Sequence, residues 1–138
     1  MVALALPGGV PRASPATLLR VVRPSGPGSY PIRLPVLGLA RVHHGSMRPT
    51  LSPGDRLLVR YAAPVAAGRV VLARFPDGTL AVKRAVEARE TRAGGPGWWL
   101  LSDNPDEGVD SRHRGVIAAE DVVAVALARV WPRPRRLR

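Results

Sequence analysis

The stretch "RVVLARFPDGTLAVKRAVEARE", residues 69–90, reads as two strands folded back on one another. "RVVLARF" (69–75) is rich in β-branched and apolar residues, and "PDG" (76–78) is a strong hairpin turn. "TLAVKRAVEARE" (79–90) then alternates: Ala81, Lys83 and Ala85 share one face, and Leu80, Val82, Arg84 and Val86 share the other. The same grammar extends outward. Upstream, "LARVHH" (39–44) is a short strand ending at Gly45, and "DRLLVRY" (55–61) follows "SPGD", where Pro53 and Gly54 suit a tight reversal. Downstream come a turn at "GGPG" (94–97), a strand at "WWLLS" (98–102), a loop at "DNPDEGVDSRHRG" (103–115), a helical turn at "AAED" (118–121) and a closing strand at "VVAVALARVW" (122–131). Short strands joined by Gly/Pro turns predict a mainly β protein, a small coiled antiparallel sheet or barrel. One short helical turn is expected in "MRPTL" (47–51), where a proline early in the turn is tolerated.

The ends read differently. Residues 1–33 concentrate Pro and Gly in "LPGGVPRASP" and "RPSGPGSYPIR", which predicts a flexible leader ahead of a core at 34–132. The opening "MVALAL" is short and lacks a basic flank, so it is expected to be neither a secretory signal nor an anchor. No stretch is long enough to span a bilayer as an apolar helix, and a cytoplasmic location is expected. "WPRPRRLR" closes the chain with a basic tail, 133–138, whose prolines preclude a regular helix; it is expected to be flexible and able to touch an acidic partner.

The formal net charge of +11 would ordinarily suggest nucleic acid or an anionic membrane. Here the charge is almost all arginine, scattered along a chain also rich in Ala, Gly, Pro and Val. That pattern fits a solvated basic surface; no nucleic-acid partner is expected, and peripheral membrane contact is the alternative use. With no cysteine, disulfides, thiolate catalysis and cysteine-based metal sites are excluded. His43 and His44 are adjacent in a strand and point to opposite faces, so no metal site is expected.

Against that background one lysine stands out. Lys83 is the only lysine, mid-strand between two alanines on its face. A covered amine can be pushed towards a neutral pKa and act as a base, which arginine cannot. Ser46, in "HHGSMRPTLSPGD" (43–55), sits at a strand-to-turn junction after Gly45, which would leave room for a substrate backbone. A serine hydroxyl needs a base within hydrogen-bond reach, and lysine can supply it. Two plainer readings stay open on these residues alone: Ser46 as the cap of the following turn, and Lys83 as an incidental charge.

Taken together, "GSMRPTLSPGDRLLV" (45–59), "GRVVLAR" (68–74), "AVKRAVE" (81–87) and "SDNPDEGVDSRHRG" (102–115) resemble, in order, the four boxes of the type I signal peptidase superfamily. The resemblance implies a signal-peptidase catalytic-core fold and a serine endopeptidase with Ser46 as nucleophile and Lys83 as base. It implies that Gly45 and Met47 shape the substrate groove and that Asp103, Asp110 and Arg112 tie the last box together. Three positions depart from the family pattern. His44 replaces a serine that assists the oxyanion hole, leaving the Ser46 N–H, with His44 as a second donor. Gly108 replaces the serine near the lysine, and Ser102 the leading glycine; Thr50 or Ser111 would then orient the amine. The compact interval, "VKRAV", "WWLLSDNP" and "VWPRP" are most similar to the nickel-type superoxide dismutase maturation proteases. That implies removal of an N-terminal leader from a superoxide dismutase precursor, with no cofactor in the protease. The alternatives are processing of exported precursors at a membrane surface, a self-cleaving regulator of the SOS-repressor kind, for which no helix-turn-helix is readable, and a non-catalytic basic binding module.

Overall fold

The computed structural model describes Leu4–Ala5 and residues 35–138. These form one antiparallel sheet of nine strands: β1 (Leu4–Ala5), β2 (Leu37–Val42), β3 (Arg56–Tyr61), β4 (Val70–Arg74), β5 (Leu80–Glu90), β6 (Pro96–Leu101), β7 (Ile117–Ala118), β8 (Val122–Trp131) and β9 (Arg135–Arg136). The order is β1-β2-β3-β8-β4-β5-β6-β7, with β9 added to β8. The sheet is unclosed, since β1 and β7 end it. It is the mainly β architecture expected; β2–β6 and β8 fall within about two residues of where the apolar runs put them, whereas the two-residue strands β1, β7 and β9 were not expected.

The turns are built as their residues dictate. In Ser52–Asp55 the Asp55 N–H donates to Ser52 O at 3.1 Å, with Pro53 second and Gly54 third at φ 91°, the signature of a type II turn. At Phe75–Thr79, Phe75 N–H donates to Thr79 O and Gly78 takes a φ of 84°, closing the β4–β5 hairpin. In this hairpin Val71 lies opposite Lys83 and Ala73 opposite Ala81.

Each face of the sheet carries a buried apolar cluster. One cluster gathers Val42, Leu57, Val59, Leu72 and Val82 with Met47 and Leu51 from the loop after β2. The other gathers Val71, Ala73, Ala81, Ala85, Leu100 and Val125. Alternation along β5 therefore sends Val82 into one cluster and Ala81 and Ala85 into the other.

Two segments differ from their sequence reading. The 103–115 loop contains a four-residue helix, α1 (Ser111–Arg114), capped by Asp110, whose side chain accepts from Arg112 N while His113 accepts from Asp110 N. The basic tail is bound rather than flexible. Arg135 and Arg136 pair with Arg129 and Ala128, and Leu137 is only 4% exposed in the first cluster. Prolines 132 and 134 bar a helix but not an edge strand. Of the expected leader, only Leu4–Ala5 is described, paired with Val42 and Arg41; the remainder lies outside the described residues.

Candidate active site

The segment after β2 folds into a single turn. Arg48 N–H donates to Gly45 O at 3.1 Å and Leu51 N–H to Met47 O at 2.9 Å, which is the helical turn expected after Ser46. Met47 and Leu51 anchor the turn in the first cluster. Ser46 and Lys83 are both 0% exposed, and the Lys83 Nζ donates to Ser46 Oγ at 3.1 Å. Lys83 shares its face of β5 with Ala81 and Ala85 of the second cluster, while Ser46 directly precedes Met47 of the first.

The amine has a second partner. Ser102 Oγ accepts from Lys83 Nζ at 2.9 Å. The β5–β6 register sets Arg84 opposite Leu101, so one step further brings Lys83 opposite Ser102. Neither Thr50 nor Ser111, the two hydroxyls expected to orient the amine, does so. Thr50 Oγ1 donates to Asp103 at 2.6 Å, and Ser111 Oγ accepts from Leu100 N. The signal for Ser102 was its place in "SDN", directly ahead of Asp103; a hydroxyl gained at position 102 stands in for the one missing at Gly108.

Burial depresses the Lys83 pKa to about 8, opposed by the carboxylate of Asp110 and aided by the charge of Arg112. Asp110 is itself fully buried. Desolvation would raise its pKa, but hydrogen bonds from Arg112 and from the backbone of Ser102 and Arg112 outweigh it and bring it to about 2. Its Oδ2 accepts from Ser102 N at 2.9 Å and from Arg112 Nη2 at 3.0 Å. Asp110 thus fixes the backbone of the residue that holds the amine.

Asp103 clamps the other side. It accepts from Arg84 Nε at 2.8 Å and Nη2 at 2.7 Å in a bidentate pair, and from Thr50. Arg84 follows Lys83 in β5, Asp103 follows Ser102, and Thr50 belongs to the Ser46 turn, so one carboxylate ties together three segments of the site. Asn104 completes the latch: its N–H donates to Ser46 O at 2.8 Å and its side-chain amide to Gly45 O at 3.4 Å. Arg84 and Asn104 were missed in the sequence, although each adjoins a residue singled out there.

The groove residues are placed as follows. Gly45 is buried, and its φ lies outside the left-handed region; glycine is needed for space, since a Cβ would come within 2.6 Å of Glu107 Oε2. That space holds the Glu107 side chain rather than standing open. Met47 is a core residue, and His43 and His44 are exposed. Among the described residues no group of three or more His, Cys, Asp or Glu is placed to hold a metal ion, and no helix is long and apolar enough to cross a membrane. A cavity of about 970 Å³ lies beside α1, lined by Trp99, Arg112 and Arg114 among others, but neither Ser46 nor Lys83 lines it.

No curated protein sequence matches the chain. A family model does: the Peptidase S24-like model aligns with residues 33–124, which is 92 of the 138 residues and contains both Ser46 and Lys83. The match agrees with the small unclosed β fold. The chain therefore belongs to the Peptidase S24-like family and is of serine-peptidase type.

Proposed function

We propose that the protein is a serine endopeptidase in which Ser46 is the nucleophile and Lys83 the general base. On this reading it removes an N-terminal leader from a precursor protein in the cytoplasm, with the nickel superoxide dismutase precursor as first substrate. The observation that carries the reading is the buried 3.1 Å contact between Lys83 Nζ and Ser46 Oγ. Neutral Lys83 takes the hydroxyl proton as Ser46 Oγ attacks the scissile carbonyl carbon. On this reading the Ser46 N–H donates to the oxyanion. The C–N bond then breaks, and the Lys83 ammonium returns its proton to the leaving amine. Water, deprotonated by Lys83, hydrolyses the acyl-enzyme. Ser102 keeps the amine aimed throughout, so Asp110 and Arg112 act as positioning residues at one remove. Both reacting groups are buried, so a substrate must displace the atoms that cover them.

Incubation with the precursor, followed by intact-mass spectrometry, tests this. One leader-removing cut is expected, absent in Ser46→Ala. Lys83→Arg should be as inactive as Lys83→Ala, because a permanent cation cannot take a proton. An active Lys83→Arg would refute the base assignment; cleavage of another precursor only would refute the substrate.

A second reading, cleavage within the chain's own first residues, is favoured by one observation. Leu4–Ala5 pairs with Arg41–Val42, just ahead of Ser46 in the chain. Wild-type protein that shortens on incubation while Ser46→Ala keeps its full mass would establish it.

A further inference from the structure

One part of the sheet is covered by neither cluster. On β2, Leu37 and Leu39 are each 46% exposed and Arg41 is exposed beside them. The register sets these opposite Arg60, Leu58 and Arg56 of β3. Arg56 in turn lies opposite Trp131 of β8, which is 52% exposed, and its guanidinium sits 5.2 Å from the centre of that ring. The β3–β8 register also places Leu58 opposite Ala128, whose partner in β9 is the exposed Arg136. The result is a patch of leucine and tryptophan interleaved with arginine. No acidic residue occurs in β2, β3, β8 or β9, so nothing on these strands neutralises it.

We infer that this face is a docking surface for an anionic lipid bilayer. Its charge is complementary to anionic headgroups, and arginines near such a surface each add about 1 kcal/mol of attraction. Charge alone would suit nucleic acid as well. The apolar half decides between them: two leucines and a tryptophan about half exposed match the headgroup–acyl boundary, where tryptophan is enriched, and have no role against a phosphodiester backbone. β2 runs directly into the Ser46 turn, so docking would hold the candidate site beside the membrane. The inference stands on the patch and is independent of the proposed chemistry.

Co-sedimentation of the whole chain with vesicles tests it, using phosphatidylcholine with or without phosphatidylglycerol. The protein should pellet with the anionic vesicles and stay in solution with pure phosphatidylcholine. Arg41→Gln/Arg56→Gln/Arg60→Gln should bind roughly 100-fold more weakly. Leu37→Ser/Leu39→Ser should bind roughly tenfold or more weakly, without changing the salt dependence. A readout that needs no patch variant keeps the idea falsifiable if these fail to fold. With Trp98 and Trp99 replaced by Phe, brominated phosphatidylcholine mixed into the anionic vesicles should quench Trp131 fluorescence. Failure to pellet, unquenched Trp131, or pelleting insensitive to both sets of substitutions would overturn the inference. So would tighter binding to short duplex DNA than to vesicles, or a dimer in solution that Leu37→Ser/Leu39→Ser dissolves.

Discussion

Replacing Lys83 by methionine keeps most of the side-chain volume and removes the charge. The wild-type amine titrates at about 8 in the fold, against 10.5 for an unburied lysine. The folded protein therefore holds this proton less tightly than the unfolded chain does. Where the unfolded chain binds more protons, stability rises with pH, so the wild type should gain stability between about pH 8 and 10.5. A shift of that size corresponds to about 3 kcal/mol, most of which should appear between pH 7 and pH 10. The Met variant lacks this group but shares all the others. Urea unfolding of both proteins at several pH values isolates the contribution as the change in the difference between their stabilities. The orphaned hydroxyls of Ser46 and Ser102 lower the variant's stability by an amount independent of pH, so they shift its curve without tilting it. Parallel curves from pH 7 to 10 would refute the argument that burial depresses Lys83, and with it the basis for a lysine base.

Ser102→Ala should leave folding intact and lower kcat by roughly ten- to 100-fold with little change in KM, because one hydrogen bond to the amine is lost; an unchanged kcat in a peptide-cleavage assay would show that Ser102 does not position the amine. Asp110 has a depressed pKa, so its contribution to stability is present above the ordinary carboxylate range and is lost as pH falls through about 2. Asp110→Asn should accordingly flatten the loss of stability between about pH 4 and 2 in an acid-unfolding titration. Leu137→Ala should destabilise the fold by about 2–3 kcal/mol in denaturant unfolding, because its side chain is buried in the first cluster; a change within about 0.5 kcal/mol is what a free tail would give.

The strands were legible because period-two patterning and Gly/Pro turns speak locally. "PDG" and "SPGD" each encode a reversal in the residues that make it. The Ser46–Lys83 contact was legible through composition and through the resemblance of the boxes, not through spacing alone, since a separation of 37 positions carries no distance information. What stayed hidden depended on register. Ser102 reaches Lys83 only because β5 and β6 align as they do, whereas Thr50 and Ser111 were equally plausible hydroxyls on the page. α1 was missed because His113, rather than Glu or Gln, completes its capping box. The tail was misread because charge and proline dominate its composition, while its placement is decided by the single apolar Leu137.

The β5–β6 ladder is interrupted once, between Ala85 and Glu87, so that Val86 is the extra residue and is exposed. On the near side of that break lie Lys83, Arg84, Ser102 and Asp103, where a slip of one residue would exchange the group facing Ser46 for the group that clamps Asp103. On the far side the hairpin continues through Glu87–Glu90, the turn at 91–95 and Pro96–Trp99. A bulge absorbs a mismatch in strand length without passing it along the ladder. The bulge therefore separates the hairpin tip at 91–95 from the paired residues that align the amine, while Gly97 and Trp98 still pair with β7. Residues added or removed at that tip, or a reporter peptide grafted there, are expected to leave the alignment of amine and hydroxyl as it is, which the activity of such a variant would check.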